Sequence, residues 1–131
     1  MKELFNLGFS DEQLNDMLEL CSSIKDLTDL EINTAIEILR KIDCSENQIK
    51  NILYANPFYL DRCDDDVLNL IKKLKALNIS SINLLFEANP FLLNKDDFEI
   101  DEYLEKEKNK GKTIDEIIEE LELNPYSIDE N

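Results

Sequence analysis

One short motif recurs along this chain at a nearly constant interval. Ala55-Asn56-Pro57-Phe58 returns as Ala88-Asn89-Pro90-Phe91 after 33 residues, and Asn124-Pro125-Tyr126 follows 35 residues later. Pro cannot donate the helical hydrogen bond, and it disfavours the α conformation in the residue before it, so each copy is expected to end a helix. A motif repeated at this interval predicts a protein built from stacked helical repeats.

Helix starts are marked as clearly as helix ends. Four Ser or Thr residues stand three positions before a Gln or Glu, which is the spacing of a capping box, and each opens a stretch with apolar residues at helical spacing. They are Ser10, Thr28, Ser45 and Thr113. Two more apolar stripes of helical period occupy positions 67–77 and 82–86. Since no segment alternates with period two for the length of a strand, the sequence predicts an all-α fold.

The distance from helix cap to helix end is constant in three of the repeats. Eleven residues separate Ser10 from Cys21, Ser45 from Asn56 and Thr113 from Asn124. The helix before Asn89 departs from this spacing, and we expect it either to cap at Asn78 or to be shorter. The aromatic residue after each Pro, Phe58 and Phe91, is expected to be buried between neighbouring helix pairs.

These spacings define the predicted architecture. We predict a short α-solenoid of stacked helix pairs, with about three and a half repeats of 33–35 residues and Asn-Pro turns. The chain is expected to form a single helical-repeat domain over residues 1–131. Its units are approximately 7–43, 44–77, 78–111 and a partial, acidic unit at 112–131.

Two segments resemble repeats of the mitochondrial transcription termination factor family. Residues 7–14 (L-G-F-S-D-E-Q-L) are similar to the start of such a repeat, and residues 49–60 (I-K-N-I-L-Y-A-N-P-F-Y-L) to its helix followed by Asn-Pro-x-x-Leu. The resemblance covers roughly residues 7–126 and implies a curved, right-handed stack of helix pairs with a 3₁₀ turn after each Pro. Family members are longer and bind nucleic acid through a basic concave face, whereas this chain is acidic, so we carry over the fold alone.

Charge and composition argue against several classes of function. The chain has 30 Asp and Glu against 14 Lys and Arg, a net charge of −16. Affinity for nucleic acid and for anionic membranes depends on Lys and Arg, so we expect no membrane partner and regard direct nucleic-acid binding as disfavoured. The chain has no His and two Gly, which removes the commonest general base and metal ligand and the material for Gly-rich phosphate loops. We therefore predict no enzymatic activity, no cofactor and no metal.

Two charged clusters and the three cysteines have interpretations that require no functional site. The acids of residues 61–66 lack the Gly of a calcium loop and suit a helix N-terminus. Lys72, Lys73 and Lys75 suit the polar face and last turns of a helix. Cys21, Cys44 and Cys63 have no C-x-x-C spacing, which favours reduced thiols in a cytoplasmic protein. The low-Gly composition, rich in Ile, Asn, Lys and Glu, is typical of a bacterial protein from an AT-rich genome.

The leading functional prediction is a protein-interaction module with an acidic surface that binds a basic partner. An acidic nucleic-acid mimic, which inhibits a nucleic-acid-binding protein, is the alternative, and direct nucleic-acid binding is the third hypothesis. The sequence leaves the oligomeric state open. The candidate partner-binding residues are three aromatic residues and four acids of the last helix. They are Tyr54, Tyr59, Tyr103, Asp115, Glu116, Glu119 and Glu120.

Overall fold

The computed structural model describes residues 1–129, which form α-helices and 3₁₀ helices and contain no β-strand. The α-helices are α1 (Lys2–Asn6), α2 (Asp11–Leu20), α3 (Asp29–Lys41), α4 (Glu46–Ala55), α5 (Asp64–Ala76), α6 (Ile82–Ala88), α7 (Asp97–Asn109) and α8 (Ile114–Leu123). The 3₁₀ helices are η1 (Ser22–Asp26), η2 (Pro57–Asp61), η3 (Pro90–Asn94) and η4 (Pro125–Asp129). The prediction of an all-α fold is confirmed.

The chain divides into two compact units, Met1–Asp64 and Asp65–Asn131. The first unit holds α1 to η2 and the second holds α5 to η4, and in each unit a pair of α-helices followed by a 3₁₀ helix occurs twice. Within the first unit, η2 packs against α2 and η1 of the preceding repeat and against α3. Within the second unit, η4 packs against α6, and α8 packs against α7. Consecutive repeats therefore stack on each other inside each unit.

The predicted helix starts are confirmed. Ser10, Thr28, Ser45 and Thr113 each form a complete capping box, in which the side chain accepts from the third helical N–H and the Gln or Glu side chain accepts from the cap N–H. A further capping box joins Asp96 and Glu99 at the start of α7. The shorter of the two alternatives holds for α6, which has seven residues against ten in α2, α4 and α8.

A residue with positive φ follows α1 and each of the 13-residue helices α3, α5 and α7, a regularity that we did not predict from the sequence. Gly8, Asp43, Asn78 and Gly111 have φ of 97°, 68°, 61° and 92°. They follow α1, α3, α5 and α7 at intervals of 35, 35 and 33 residues. Gly adopts this left-handed conformation without steric cost because it has no Cβ, and Asn and Asp adopt it more readily than other residues. These residue types therefore suit the turn.

The first two left-handed turns close with the same backbone hydrogen bond. The N–H of Phe9 donates to the Leu4 carbonyl at 3.4 Å, and that of Cys44 donates to the Leu39 carbonyl at 3.1 Å. The four side chains of these pairs are buried, as is usual for the apolar contact that accompanies this helix end. The next repeat places Leu74 and Ile79 at the same positions, and both are buried as well.

The last repeat replaces this apolar contact with an ion pair. The N–H of Lys112 donates to the Glu107 carbonyl at 3.4 Å, so the backbone turn is retained. The Glu107 side chain is 6 % exposed, and its carboxylate lies 2.7 Å from the Lys112 ammonium and 3.1 Å from that of Lys110. These lysines lower the pKa of Glu107, with Lys112 contributing most. The carboxylate is therefore ionised at neutral pH.

The 3₁₀ helices bury a different set of residues from the one predicted. Phe58 and Phe91 are 45 % and 46 % exposed, so the prediction that they fill the core between helix pairs is wrong. The Pro and the second and third residues after it are buried instead in η2 and η3. With three residues per turn, the Pro and the third residue after it share one side of the helix, and the aromatic residue next to the Pro faces outward.

Among residues 1–129, none of the helices combines the length and the apolar character that a membrane span requires.

We expect adjacent residues of η3 to differ sharply in their contribution to stability. Leu92 is fully buried, so Leu92→Ala should cost about 2–5 kcal/mol of the free energy of unfolding. The half-exposed Phe91 has less burial to lose, and Phe91→Ala should cost about 1 kcal/mol or less. Urea melts of the two variants measure the difference. Equal losses would mean that the outward side of η3 carries as much packing as the inward side.

The Glu107–Lys112 ion pair should be exchangeable for the apolar contact of the preceding repeat. Lys112→Ile alone leaves a buried carboxylate with only Lys110, so it should lower the melting temperature. Adding Glu107→Leu creates the Leu–Ile pairing of Leu74 and Ile79 and should restore or exceed the wild-type stability.

The stability of this pair also depends on pH. Because the folded-state pKa of Glu107 is lowered, the ion pair stabilises the fold above the unfolded-state pKa and loses that effect as the pH falls through the folded-state pKa. The stability of the double variant relative to the wild type should therefore increase as the pH falls. Thermal melts from neutral to acidic pH measure the difference in melting temperature between the two proteins. If the double variant melts like Lys112→Ile at every pH, the apolar contact does not replace the ion pair.

Candidate functional site

The structure separates the aromatic candidates from one another. Tyr54 is 39 % exposed on α4. Tyr59 is buried, and its hydroxyl donates to the Ala35 carbonyl at 2.7 Å. Tyr103 is also buried, with its hydroxyl 3.1 Å from Ser127 Oγ. The prediction that Tyr59 and Tyr103 offer contact surface to a partner is therefore corrected: both side chains belong to the repeat cores, where their ring area packs and their hydroxyls are hydrogen-bonded.

The four acidic candidates all lie exposed on α8, with different local roles. Glu116 completes the capping box with Thr113, and hydrogen bonds from the Thr113 backbone and hydroxyl lower its pKa. Glu120 accepts from the Lys112 ammonium at 2.7 Å. Asp115 and Glu119 stand one turn apart on the same helix, so the exposed side of α8 presents a dense negative charge.

The other charged clusters are accounted for by local structure. Asp61 accepts from the Ser23 hydroxyl at 2.7 Å, and Asp64 opens α5. Lys73 forms an ion pair with Asp101 of α7 at 2.9 Å. Within residues 1–129, no three Cys, Asp or Glu side chains are arranged to hold a metal ion.

The short helices of the second unit form a surface that carries acids and no bases. We call it the acidic short-helix surface and define it as residues 82–94 and 114–129, which comprise α6, η3, α8 and η4. These segments contain seven acids, all exposed, and no Lys or Arg. The acids are Glu87, Asp115, Glu116, Glu119, Glu120, Glu122 and Asp129. Two of them are held by lysines outside the surface, Glu120 by Lys112 and Asp129 by Lys95.

Large apolar side chains are exposed among these acids. Leu123 is 80 % exposed, and four other large apolar residues of the same segments are exposed by about a third to a half. The four are Leu84, Phe91, Ile114 and Tyr126. Aromatic and apolar residues within a polar rim are typical of surfaces that bind other proteins.

A groove runs along α6 within this surface. Its volume is about 200 Å³, and its lining includes Ser80 and Ser81 just before α6 and Leu84, Leu85 and Ala88 on one face of that helix. Glu122 and Pro125 face them from α8 and η4. We call it the α6 groove. Its lining includes Leu, Ala and Pro side chains, two serines and one acidic residue.

The corresponding place in the first unit is bridged by a side chain. Tyr54 stands two residues before Asn56, as Glu122 stands two before Asn124. The Tyr54 hydroxyl donates to Asp16 Oδ2 of α2 at 2.8 Å, and this hydrogen bond is the main cause that raises the pKa of the phenol. A tyrosine thus links neighbouring short helices in the first unit.

The matching positions in the second unit cannot make this link. Asp16 stands five residues before Cys21, and Leu84 stands five before Asn89. Cys21 and Asn89 have closely similar backbone angles, with φ of −140° and −135° and ψ of 84° and 85°, so the two helices end in the same register. A Leu and a Glu replace the hydrogen-bonded Asp and Tyr, and both replacements line the α6 groove. Aligning the repeats on their helix ends would have shown this exchange in the sequence.

The chain matches no protein-family model, and no curated protein sequence matches it. The resemblance to the transcription termination factor family therefore stays a prediction that concerns the fold.

Proposed function

We propose that this protein is a non-enzymatic interaction module whose acidic short-helix surface binds a basic partner protein. The observation that carries the proposal is the segregation of charge in the second unit. Seven exposed acids and no bases occupy α6, η3, α8 and η4. The lysines of this unit lie on α5 and α7 or next to the ends of α7. A surface of one sign attracts and orients a partner of the opposite sign.

The exposed apolar side chains supply the second requirement for binding. Electrostatic attraction raises the rate of association, but affinity depends mainly on a few apolar or aromatic residues that become buried in the complex. Leu123, Phe91 and Tyr126 are exposed among the acids and can provide such contacts. The combination favours a partner segment that carries both Lys or Arg residues and apolar residues.

The same surface bears on the nucleic-acid hypotheses. Since it holds no Lys or Arg, it has no side chain that could neutralise a phosphate. A mimic that occupies a basic nucleic-acid-binding groove stays the alternative, because it would also use a surface of negative charge. Competition between this protein and DNA for one partner distinguishes the mimic from a module that binds elsewhere on a basic protein.

We expect a Lys-rich helical peptide to bind with a strong dependence on salt. Charge reversal at two exposed acids of α8, Asp115→Lys with Glu119→Lys, should slow association by on the order of tenfold at low ionic strength. The effect should shrink as salt screens the charges beyond about 8 Å at physiological ionic strength. Stopped-flow measurements with a fluorescein-labelled peptide provide the rates.

A matched control separates the local surface from the net charge. Glu102→Lys with Glu105→Lys makes the same change of charge at exposed positions of α7, outside the acidic short-helix surface. Association should slow much less in this variant than in the α8 variant. Equal effects would show that only the net charge of −16 matters, and no binding of the peptide at low salt would contradict the proposed function.

A further inference from the structure

We propose that the α6 groove receives an aromatic side chain, Tyr or Phe, from a Lys- or Arg-bearing segment of the partner. This inference rests on the proposed function and specifies its central contact. The groove lies largely on the acidic short-helix surface, and its lining combines Leu84, Leu85, Ala88 and Pro125 with Glu122 and with two serines, Ser80 and Ser81. The partner residue would take the place in the second unit that Tyr54 takes in the first.

The first unit contains the intramolecular counterpart of the proposed contact. There, Tyr54 of α4 reaches the neighbouring short helix and its hydroxyl donates to the Asp16 carboxylate at 2.8 Å. In the second unit the same register holds Glu122 and Leu84, which leave an apolar groove with a carboxylate at its side. An incoming tyrosine would find leucine side chains for its ring and, as Tyr54 does, a carboxylate that can accept from its hydroxyl.

The size of the groove favours a side chain over a small-molecule ligand. Its volume of about 200 Å³ lies below the ~300–1,000 Å³ of typical ligand pockets. A groove of this size suits the anchor residue of a larger interface, where one aromatic group fills a pocket and the surrounding contacts exclude water.

The surroundings of the groove specify the charge of the segment. Glu122 lines the groove, Glu119 lies one turn earlier on α8, and Glu87 is exposed on α6. The helices on both sides of the groove carry no Lys or Arg. A segment with Lys or Arg close to its aromatic residue would place opposite charges next to these acids, whereas an acidic segment would be repelled.

Two labelled peptides test the inference. Both are short, Lys-rich and helical, and they differ only in a central residue, which is Tyr in one and Ala in the other. Fluorescence anisotropy should show that the wild-type protein binds the Tyr peptide at least ~10-fold more tightly, the effect expected of a buried aromatic anchor.

The decisive variant introduces the hydrogen-bonded pair of the first unit, Tyr54 and Asp16, at the matching positions of the second unit. Leu84→Asp with Glu122→Tyr places a tyrosine and its carboxylate acceptor at the positions that match Tyr54 and Asp16, and it leaves the net charge at −16 because one acid is gained and one lost. The variant should lose the preference for the Tyr peptide and keep salt-dependent binding of the Ala peptide. Leu30→Asp with Glu102→Tyr, at exposed positions outside the acidic short-helix surface, is the control with the same substitutions and should keep the preference.

The outcomes distinguish this inference from the proposed function. If both peptides bind equally and with the same salt dependence, the acidic surface stands and the aromatic anchor is overturned. If neither peptide binds at low salt, the proposed function fails and the anchor with it.

Circular dichroism melts establish whether the transfer variant is folded. If it is not, Leu84→Ser alone, which removes apolar lining at a half-exposed position, should weaken the preference for the Tyr peptide. Sedimentation equilibrium tests a second copy of the chain as the occupant, and self-association that the transfer variant abolishes would overturn the inference.

Discussion

The Asn-Pro step is the constraint on which the repeat architecture depends. At Asn56, Asn89 and Asn124 the backbone leaves the helix with nearly the same angles, with φ between −135° and −139°. The following Pro starts a 3₁₀ helix at a position where the missing N–H has no cost. Asn89 is fully buried and donates to the carbonyl of Pro125 at 3.1 Å, so one Asn-Pro step is hydrogen-bonded to the next. The motif therefore both turns the chain and joins neighbouring repeats within the second unit.

Within this framework, equivalent positions accept chemically different solutions. The helix end that Leu4 and Phe9 close with apolar side chains is closed in the last repeat by Glu107 and Lys112, while the backbone hydrogen bond is kept. The start of the 3₁₀ helices varies in the same way. Three of them begin with Pro, whereas η1 begins with Ser22 and still forms a 3₁₀ helix. Backbone geometry sets the repeat, and the side chains that close each helix end vary in their chemistry.

The shortened α6 connects this framework to the proposed binding surface. The interval between left-handed residues falls from 35 to 33 at the third repeat, and α6 begins at Ile82 after Ser81, whose side chain forms no capping hydrogen bond. The α6 groove lies along this helix. Its opposite wall carries Glu122 where the first unit carries Tyr54. A local departure from the repeat thus coincides with the place where an internal side-chain bridge is absent.

The sequence by itself determined the helical class, the helix starts at capping boxes and the helix ends at Asn-Pro, because these depend on hydrogen bonds and steric effects between residues a few positions apart. It did not determine which side of each 3₁₀ helix is buried. Phe58 and Tyr59 are adjacent and both aromatic, yet only Tyr59 is buried, because the neighbouring repeat covers one side of η2. The α6 groove was likewise decided by tertiary structure, since its walls are about forty residues apart in the chain and meet only when repeats stack.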